Sequence, residues 1–151
     1  MPKCNCKAFD KCFEFQHEQR KIVTCSDAGS SKTKYVYYNK NGNNLSKYRV
    51  DNCLIIGDNT KCDYLLLNCE QKQSYFIELK GSDIIRAIKQ IDRSIEILKS
   101  NLIGFSFYAR IVVTRVNTID TRDTRYLKFK KKLKSLGGDV KEQSGLFHDV
   151  N

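Results

Sequence analysis

The chain of 151 residues has the length of a single domain and is long enough to bury a sizeable core, so we predict one domain over residues 1–151. The composition, with 40% hydrophobic and 29% charged residues, is that of a globular protein, and no apolar run is long enough to span a membrane. The net charge of +10 favours a polyanionic partner such as nucleic acid. A surface that uses lysine only for solubility accounts for the composition equally well.

The amino terminus lacks the apolar segment of a signal peptide, which predicts a cytoplasmic protein. The seven cysteines are odd in number and have no disulfide-like spacing, so we expect most of them to be free thiols in that reducing compartment. An alternative is a four-thiolate zinc site, although the spacings are irregular. Its candidate ligands are Cys4, Cys6, Cys12 and Cys25.

The first half of the chain predicts one helix followed by strands. Residues 9–24 carry a partial apolar stripe at helical spacing, and Asp10 can cap a helix that begins there. Strands are predicted over 34–38 and 47–56, with turn-forming residues after each of them. The second turn leads into the strand that begins near Asp63, so we predict a meander of three antiparallel strands.

The second half predicts alternating helices and strands. Isoleucine recurs at helical spacing over 84–98, which predicts a helix with a buried stripe. The β-rich run at 105–113 predicts a core strand parallel to the strand before the helix, because the helix makes a crossover connection. A basic helix over 122–136, ended by Gly137 and Gly138, and an edge strand over 139–143 complete the chain.

An apolar hairpin at the centre of the sequence carries three charged residues near its open end. Asp63 begins the first strand, and Glu78 and Lys80 end the second. Side chains alternate along a strand, so Glu78 and Lys80 share a face, and Asp63 can face the same side if the register suits. A buried charge is costly unless it is paired or coordinated. Two carboxylates and a main-chain carbonyl suit Mg²⁺, and a nearby lysine can orient or deprotonate a water.

This arrangement resembles the PD-(D/E)xK, or restriction-endonuclease-like, nuclease superfamily. The matching residues are Asp63, Glu78, Leu79 and Lys80, and Cys62 stands where the motif has proline. The resemblance implies an α/β restriction-endonuclease-like core, whose mixed central sheet combines an antiparallel meander with a parallel crossover strand and is flanked by helices. It implies a Mg²⁺-dependent (or Mn²⁺-dependent) endonuclease that hydrolyses DNA. Asp63, Glu78 and the Leu79 carbonyl would hold the metal, and Lys80 would activate the water.

Further residues are candidates for the same site. Members of the superfamily often add an acid from the first helix, and Glu18 is the main candidate, with Glu14 and Asp51 as others. Gln90 resembles a glutamine that some RecB-like members place near the metal, and the alternative is a glutamine that faces solvent on its helix. A block of lysines on the basic helix is expected to bind phosphates, although it can equally be a solvated face. It consists of Lys128, Lys130, Lys131, Lys132 and Lys134.

Other interpretations remain open at this stage. The three hairpin charges can form a structural salt bridge, and the protein can be a non-catalytic nucleic-acid-binding or assembly protein on the same fold. RNA is an alternative to DNA as the substrate. Because a subunit with one site needs a second copy to cut both strands, a homodimer or a partner protein is also expected.

Overall fold

The structure, a computed structural model, describes residues 6–27, 30–57, 60–79, 83–115 and 122–151. Within these ranges the chain forms nine strands and two helices, so it is an α/β protein that consists mostly of strands. The strands are β1 (Phe13–Glu18), β2 (Ile22–Asp27), β3 (Ser30–Tyr38), β4 (Leu45–Arg49), β5 (Tyr64–Asn68), β6 (Gln73–Leu79), β7 (Ser106–Val113), β8 (Val140–Ser144) and β9 (Leu146–Val150). The helices are α1 (Ile84–Leu98), which continues into a 3₁₀ turn at Lys99–Asn101, and α2 (Thr124–Ser135). Neither described helix has the length and apolar character needed to cross a membrane.

Six of the nine described strands form a mixed sheet in the order β1-β4-β5-β6-β7-β8. The pairs β1–β4, β4–β5 and β5–β6 are antiparallel, whereas the pairs β6–β7 and β7–β8 are parallel. Parallel neighbours need a crossover connection, and α1 supplies it between β6 and β7. The predicted mixed sheet, with a parallel strand over about 105–113 and an edge strand after the basic helix, is confirmed.

Both faces of the six-stranded sheet are covered. The two helices pack on one face, and a three-stranded sheet in the order β2-β3-β9 packs on the other. The core on the helical face includes Leu65, Leu67, Phe76, Ile91, Ile95 and Leu133. The core on the other face includes Tyr35, Leu66, Tyr75, Ile77, Leu79 and Phe147. Burial on both faces explains why β5 and β6 are nearly continuous apolar runs in the sequence.

Helix α1 begins and ends where the isoleucine spacing predicts, at Ile84 and Leu98. The Asp83 carboxylate caps it by accepting a hydrogen bond of 2.9 Å from the Arg86 N–H. The predicted apolar stripe is buried against the sheet. After α2, Gly137 adopts a φ of +83°, the left-handed conformation that ends helices and that glycine accepts without strain.

The predicted helix over 9–24 is wrong, because β1 and β2 occupy this stretch. Phe13 and Phe15 alternate with polar residues, and Ile22, Val23 and Thr24 are β-branched, so both segments suit strands. The predicted meander began with the strand at 34–38, but that strand is part of β3, which pairs with β2 and β9 in the other sheet. The observed meander consists of β4, β5 and β6. Strand β9 was not predicted.

The expectation that most cysteines are free thiols is also wrong for the described residues. Disulfides join Cys12 to Cys53 and Cys6 to Cys69, whereas Cys25 and Cys62 are free and buried. The proposed four-thiolate zinc site is therefore not formed. Cys12 is bonded to a residue outside that set, Cys25 lies in the core between the two sheets, and Cys4 lies outside the described residues.

Candidate metal-binding site at the open end of the β5–β6 hairpin

Asp63 directly precedes β5 and forms hydrogen bonds with the residues on both sides of Glu78. Its backbone N–H donates to the Ile77 carbonyl at 3.1 Å, and its carboxylate Oδ2 accepts from the Leu79 N–H at 2.8 Å. On its other side, the Asp63 carbonyl accepts from the Val50 N–H in the turn after β4 at 2.9 Å. The predicted hairpin therefore brings the first acid of the motif to the backbone next to the second acid.

Glu78 is completely buried in β6. Alternation along the strand puts its side chain on the face of Phe76, which packs against the helices. A carboxylate in such a position is costly to bury unless it is paired, hydrogen-bonded or coordinated to a cation. The burial thus places an acidic side chain in the interior, next to the backbone that Asp63 contacts.

The Cys62 thiol is buried close to both acids. Burial raises the pKa of Cys62 well above its ordinary value, and the negative charges of Glu78 and Asp63 raise it further against an opposing hydrogen bond from Ser94. Cys62 is therefore a neutral thiol at physiological pH. A neutral thiol is a poor nucleophile, so Cys62 is a buried packing group rather than a catalytic cysteine.

Helix α1 holds the segment that leads into Asp63. The Gln90 side-chain amide donates to the Lys61 carbonyl at 3.1 Å, and the buried Ser94 hydroxyl accepts from the Cys62 N–H at 2.9 Å and donates to the Gln90 carbonyl at 2.8 Å. Gln90 is thus a positioning residue on a backbone carbonyl. The sequence analysis did not predict a role for Ser94. The only indication in the sequence is that Ser94 lies four residues after Gln90, on the same face of the helix.

Replacing Ser94 with alanine is expected to lower the free energy of unfolding by about 1–3 kcal/mol, because it leaves the buried Cys62 N–H without its acceptor. Urea denaturation measures the loss. Ser100→Ala, at an exposed serine just beyond the same helix, is the matched control and should have little effect. Equal stability of the two variants would show that the Ser94 hydroxyl does not hold this segment.

The other predicted site residues lie in different parts of the structure or outside the described residues. Lys80 lies outside the described residues, and Leu79 is the last residue of β6. Glu18 lies away from Asp63: its backbone pairs with Leu45, which lies opposite Asn68 at the far end of β5, roughly 17 Å along the strand from Asp63. The Glu18 carboxylate instead contacts Arg20 at 2.8 Å.

Of the other candidate acids, Asp51 comes nearer to the site than Glu14. The Asp51 N–H lies 3.5 Å from the Asp63 carbonyl, although its carboxylate lies 3.7 Å from the Lys61 amine. Glu14 forms an ion pair with Lys47 at 2.8 Å. Among the described residues, no third acid, histidine or cysteine joins the two motif acids in a cluster tight enough to share an ion.

The lysine block on α2 divides into two groups. Lys132 bridges to α1, with its amine 2.5 Å from the Asp92 carboxylate and 2.7 Å from the Glu96 carboxylate. The side of α2 that carries Tyr126 and Phe129 packs into the core. The remaining lysines of the block are exposed, and they are Lys128, Lys130, Lys131 and Lys134.

A groove between α1 and α2 extends the basic surface. It is lined by Lys89, Arg125 and Lys128 together with Asp92, over the apolar floor of Ile85 and other core residues. Helix α1, which forms one wall of the groove, follows β6 in the sequence. This surface can bind an anionic backbone through several point charges.

Comparison of the chain with models of known protein families, with curated proteins and with solved structures finds no match. Its function is therefore inferred from the arrangement of its own residues.

Proposed function

We propose that the protein is a metal-dependent endonuclease of the PD-(D/E)xK type that hydrolyses phosphodiester bonds in DNA. The observation that carries the proposal is the hydrogen bond from the Leu79 N–H to the Asp63 carboxylate, next to the buried Glu78. It connects Asp63, across the hairpin, to the residue that follows Glu78 in β6.

The chain topology supports the same proposal. The resemblance implies a meander of three antiparallel strands, then a helix, then a strand parallel to the last strand of the meander. Strands β4, β5 and β6, helix α1 and strand β7 follow one another in that way. The motif acids lie at the start of the second strand and the end of the third, where the resemblance implies the site.

The donor atoms of this site suit Mg²⁺ or Mn²⁺. Asp63, Glu78 and the Leu79 carbonyl would supply hard oxygen ligands, and Mg²⁺ commonly binds one or two carboxylates while it keeps several waters. Among the described residues no third acid joins the pair in a cluster of ligand atoms, and this is compatible with such an ion. When bound, the ion supplies Lewis-acid stabilisation of the charge that develops on the phosphate.

The residues of the chain have separate roles in the proposed hydrolysis. Asp63 and Glu78 would hold the ion, and the pairing of β5 with β6 would position these two ligands. Lys80 would position the attacking water, whose proton passes to solvent as the new bond to phosphorus forms. The bond from phosphorus to the leaving sugar oxygen breaks in line with this attack, and that oxygen takes up a proton from solvent.

The exposed lysines of α2 and the groove beside α1 would carry the DNA backbone. Lys131→Ala is expected to weaken DNA binding for all sequences and to reduce the slope of log affinity against log salt by about 1. Lys132→Ala is the matched control on the neighbouring residue, because its amine is already held by Asp92 and Glu96. Fluorescence anisotropy over a salt series measures the DNA affinity of both variants. Equal slopes for the two would contradict the separation of the exposed lysines from Lys132.

The same Lys132 variant is expected to cost about 1 kcal/mol of stability, since it removes a bridge between the helices that is partly open to solvent. Hydrogen bonds from Lys132 and Lys99 lower the pKa of Glu96 from 4.5 to about 2. Because the folded pKa is depressed, the contribution of Glu96 is present above about pH 4.5 and is lost as the pH falls towards 2. The stability difference between the wild type and Lys132→Ala should shrink over that interval.

A cleavage assay on supercoiled plasmid tests the proposed function. Purified protein with Mg²⁺ or Mn²⁺ should convert the plasmid to nicked or linear forms, and added EDTA should stop the reaction. A structured RNA in the same assay distinguishes the two substrates. If the protein binds DNA but cleaves no form of it with either ion, the proposal fails and the non-catalytic alternative holds.

A further inference from the structure

Three metal-ligating side chains meet at the end of β5 that lies away from Asp63. Cys6 lies before β1, His17 lies in β1, and Cys69 directly follows β5. Their ligand atoms all lie within 4.8 Å of one another, and both cysteines are buried. The five residues of β5 lie between Asp63 and Cys69, a separation of roughly 20 Å along an extended strand, so this cluster is distinct from the proposed nuclease site.

His17 is held in an unusual backbone conformation that directs it into the cluster. Strand β1 is irregular between Phe15 and Glu18, and His17 has a φ of +54°, which few residues other than glycine adopt. Its Nδ1 atom is buried and makes no hydrogen bond with any residue that the structure describes. Such an atom is costly to bury, and a metal ion beside it would remove that cost.

Ser46 connects the histidine to the first cysteine. Its buried hydroxyl oxygen accepts from the His17 backbone N–H at 2.9 Å and lies 3.0 Å from the Cys6 sulfur. The Ser46 oxygen accepts the hydrogen bond from His17, and the proton of the same hydroxyl group can be donated to the Cys6 sulfur. A hydrogen bond of this kind stabilises a thiolate and orients it, as the groups behind metal ligands commonly do.

We propose that the thiol form of the protein binds one zinc ion through the sulfurs of Cys6 and Cys69 and Nδ1 of His17. Thiolate and imidazole are the ligands that zinc prefers, and a water molecule can fill the fourth tetrahedral position. The proposal does not depend on the proposed nuclease activity. The ion would bind the segment before β1, β1 itself and the residue after β5. It would therefore cross-link the edge strand of the sheet to a central strand.

The two cysteines are joined as a disulfide in the structure, so zinc binding requires their reduction. A phosphine reductant transfers two electrons to the disulfide, water supplies two protons and one oxygen atom, and the products are two thiols and a phosphine oxide. Zinc then displaces both thiol protons to solvent. With Zn–S bonds of about 2.3 Å, the two sulfurs would lie about 3.8 Å apart on a tetrahedral ion.

The test compares metal binding by the reduced and the oxidised full-length protein. Metal-free protein is reduced with a phosphine, mixed with Zn²⁺ and desalted, and its zinc is counted by mass spectrometry of the metal. One zinc per chain is expected after reduction and none in the oxidised protein. Co²⁺ in place of Zn²⁺ should give the visible bands of a tetrahedral ion with a sulfur-to-metal charge-transfer band.

Variants assign the ligands. Cys69→Ser and His17→Asn should each lower the zinc affinity at least tenfold, and asparagine suits the left-handed conformation at residue 17. The controls are the double variant Cys12→Ser/Cys53→Ser, which removes the other thiol pair, and His148→Asn in β9. Both controls should retain the ion. The proposal is overturned if the reduced wild type binds no zinc, if the site variants retain it, or if the Cys12/Cys53 variant loses it.

Discussion

Asp63→Asn is expected to lower Mg²⁺-dependent plasmid cleavage by about 10³-fold or more and to leave the fold intact. The carboxylate would supply one of two negative ligands, and loss of several kcal/mol of metal-mediated stabilisation in the transition state corresponds to that factor. The asparagine side-chain oxygen can still accept the Leu79 N–H bond that the carboxylate accepts at 2.8 Å. Far-ultraviolet circular dichroism and the melting temperature should therefore change little, whereas the cleavage rate should collapse.

Glu78→Gln is the companion variant and should have an effect of similar size. Glutamine has almost the same volume, so the fully buried position is filled in the same way while the charge is removed. The matched control is Glu70→Gln, in the turn at the opposite end of the same hairpin, where the carboxylate accepts hydrogen bonds from Asn44 at 2.7 and 2.8 Å.

The pattern across the three variants decides the question. Loss of cleavage in the first two with full activity in Glu70→Gln supports the metal site. Unchanged cleavage in Asp63→Asn and Glu78→Gln would attribute any nuclease activity in the preparation to another site or another protein. Isothermal titration with Mn²⁺ adds an independent measurement, because both site variants should bind the ion more weakly than the control.

Arg110→Met is expected to cost about 3 kcal/mol of stability, a larger loss than we expect for Lys132→Ala. The guanidinium is buried in β7, where it donates to Asp149 in β9 at 2.6 Å and to Asp139 before β8 at 2.5 Å. It also lies within 5.4 Å of the centre of the Tyr75 ring. Removing it leaves the largely buried Asp149 charge without its partner, while Tyr35 still donates to that carboxylate.

Thermal and urea unfolding measure this loss, which should lower the melting temperature by about 10 °C for a chain of this length. Arg93→Met, at an exposed arginine on α1, is the matched control and should have little effect. The double variant Arg110→Met/Asp149→Asn should recover part of the stability, because the second substitution removes the charge that the first leaves uncompensated. Additive losses in the double variant would contradict a direct pairing between the sheets.

The sequence was most informative where local pattern and tertiary environment agree. The isoleucine spacing determined α1 to the residue, since a long amphipathic stripe leaves one face to bury. The apolar runs around Asp63 and Glu78 determined the hairpin, and strict pairing then brought the two acids together without any further signal. The crossover between β6 and β7 followed from the helix between them.

Tertiary structure decided the features that depend on partners distant in the chain. Phe9 and Phe13 have helical spacing in the sequence, but β1 forms because β4 offers a strand edge to pair with, and propensity over a short segment is weaker than such pairing. Sheet β2-β3-β9 joins segments from both ends of the chain, and Arg110 fastens it to the larger sheet. The meeting of Cys6, His17 and Cys69 likewise depends on strand order alone. Sequence spacing carries no record of contacts that only the folded sheets create.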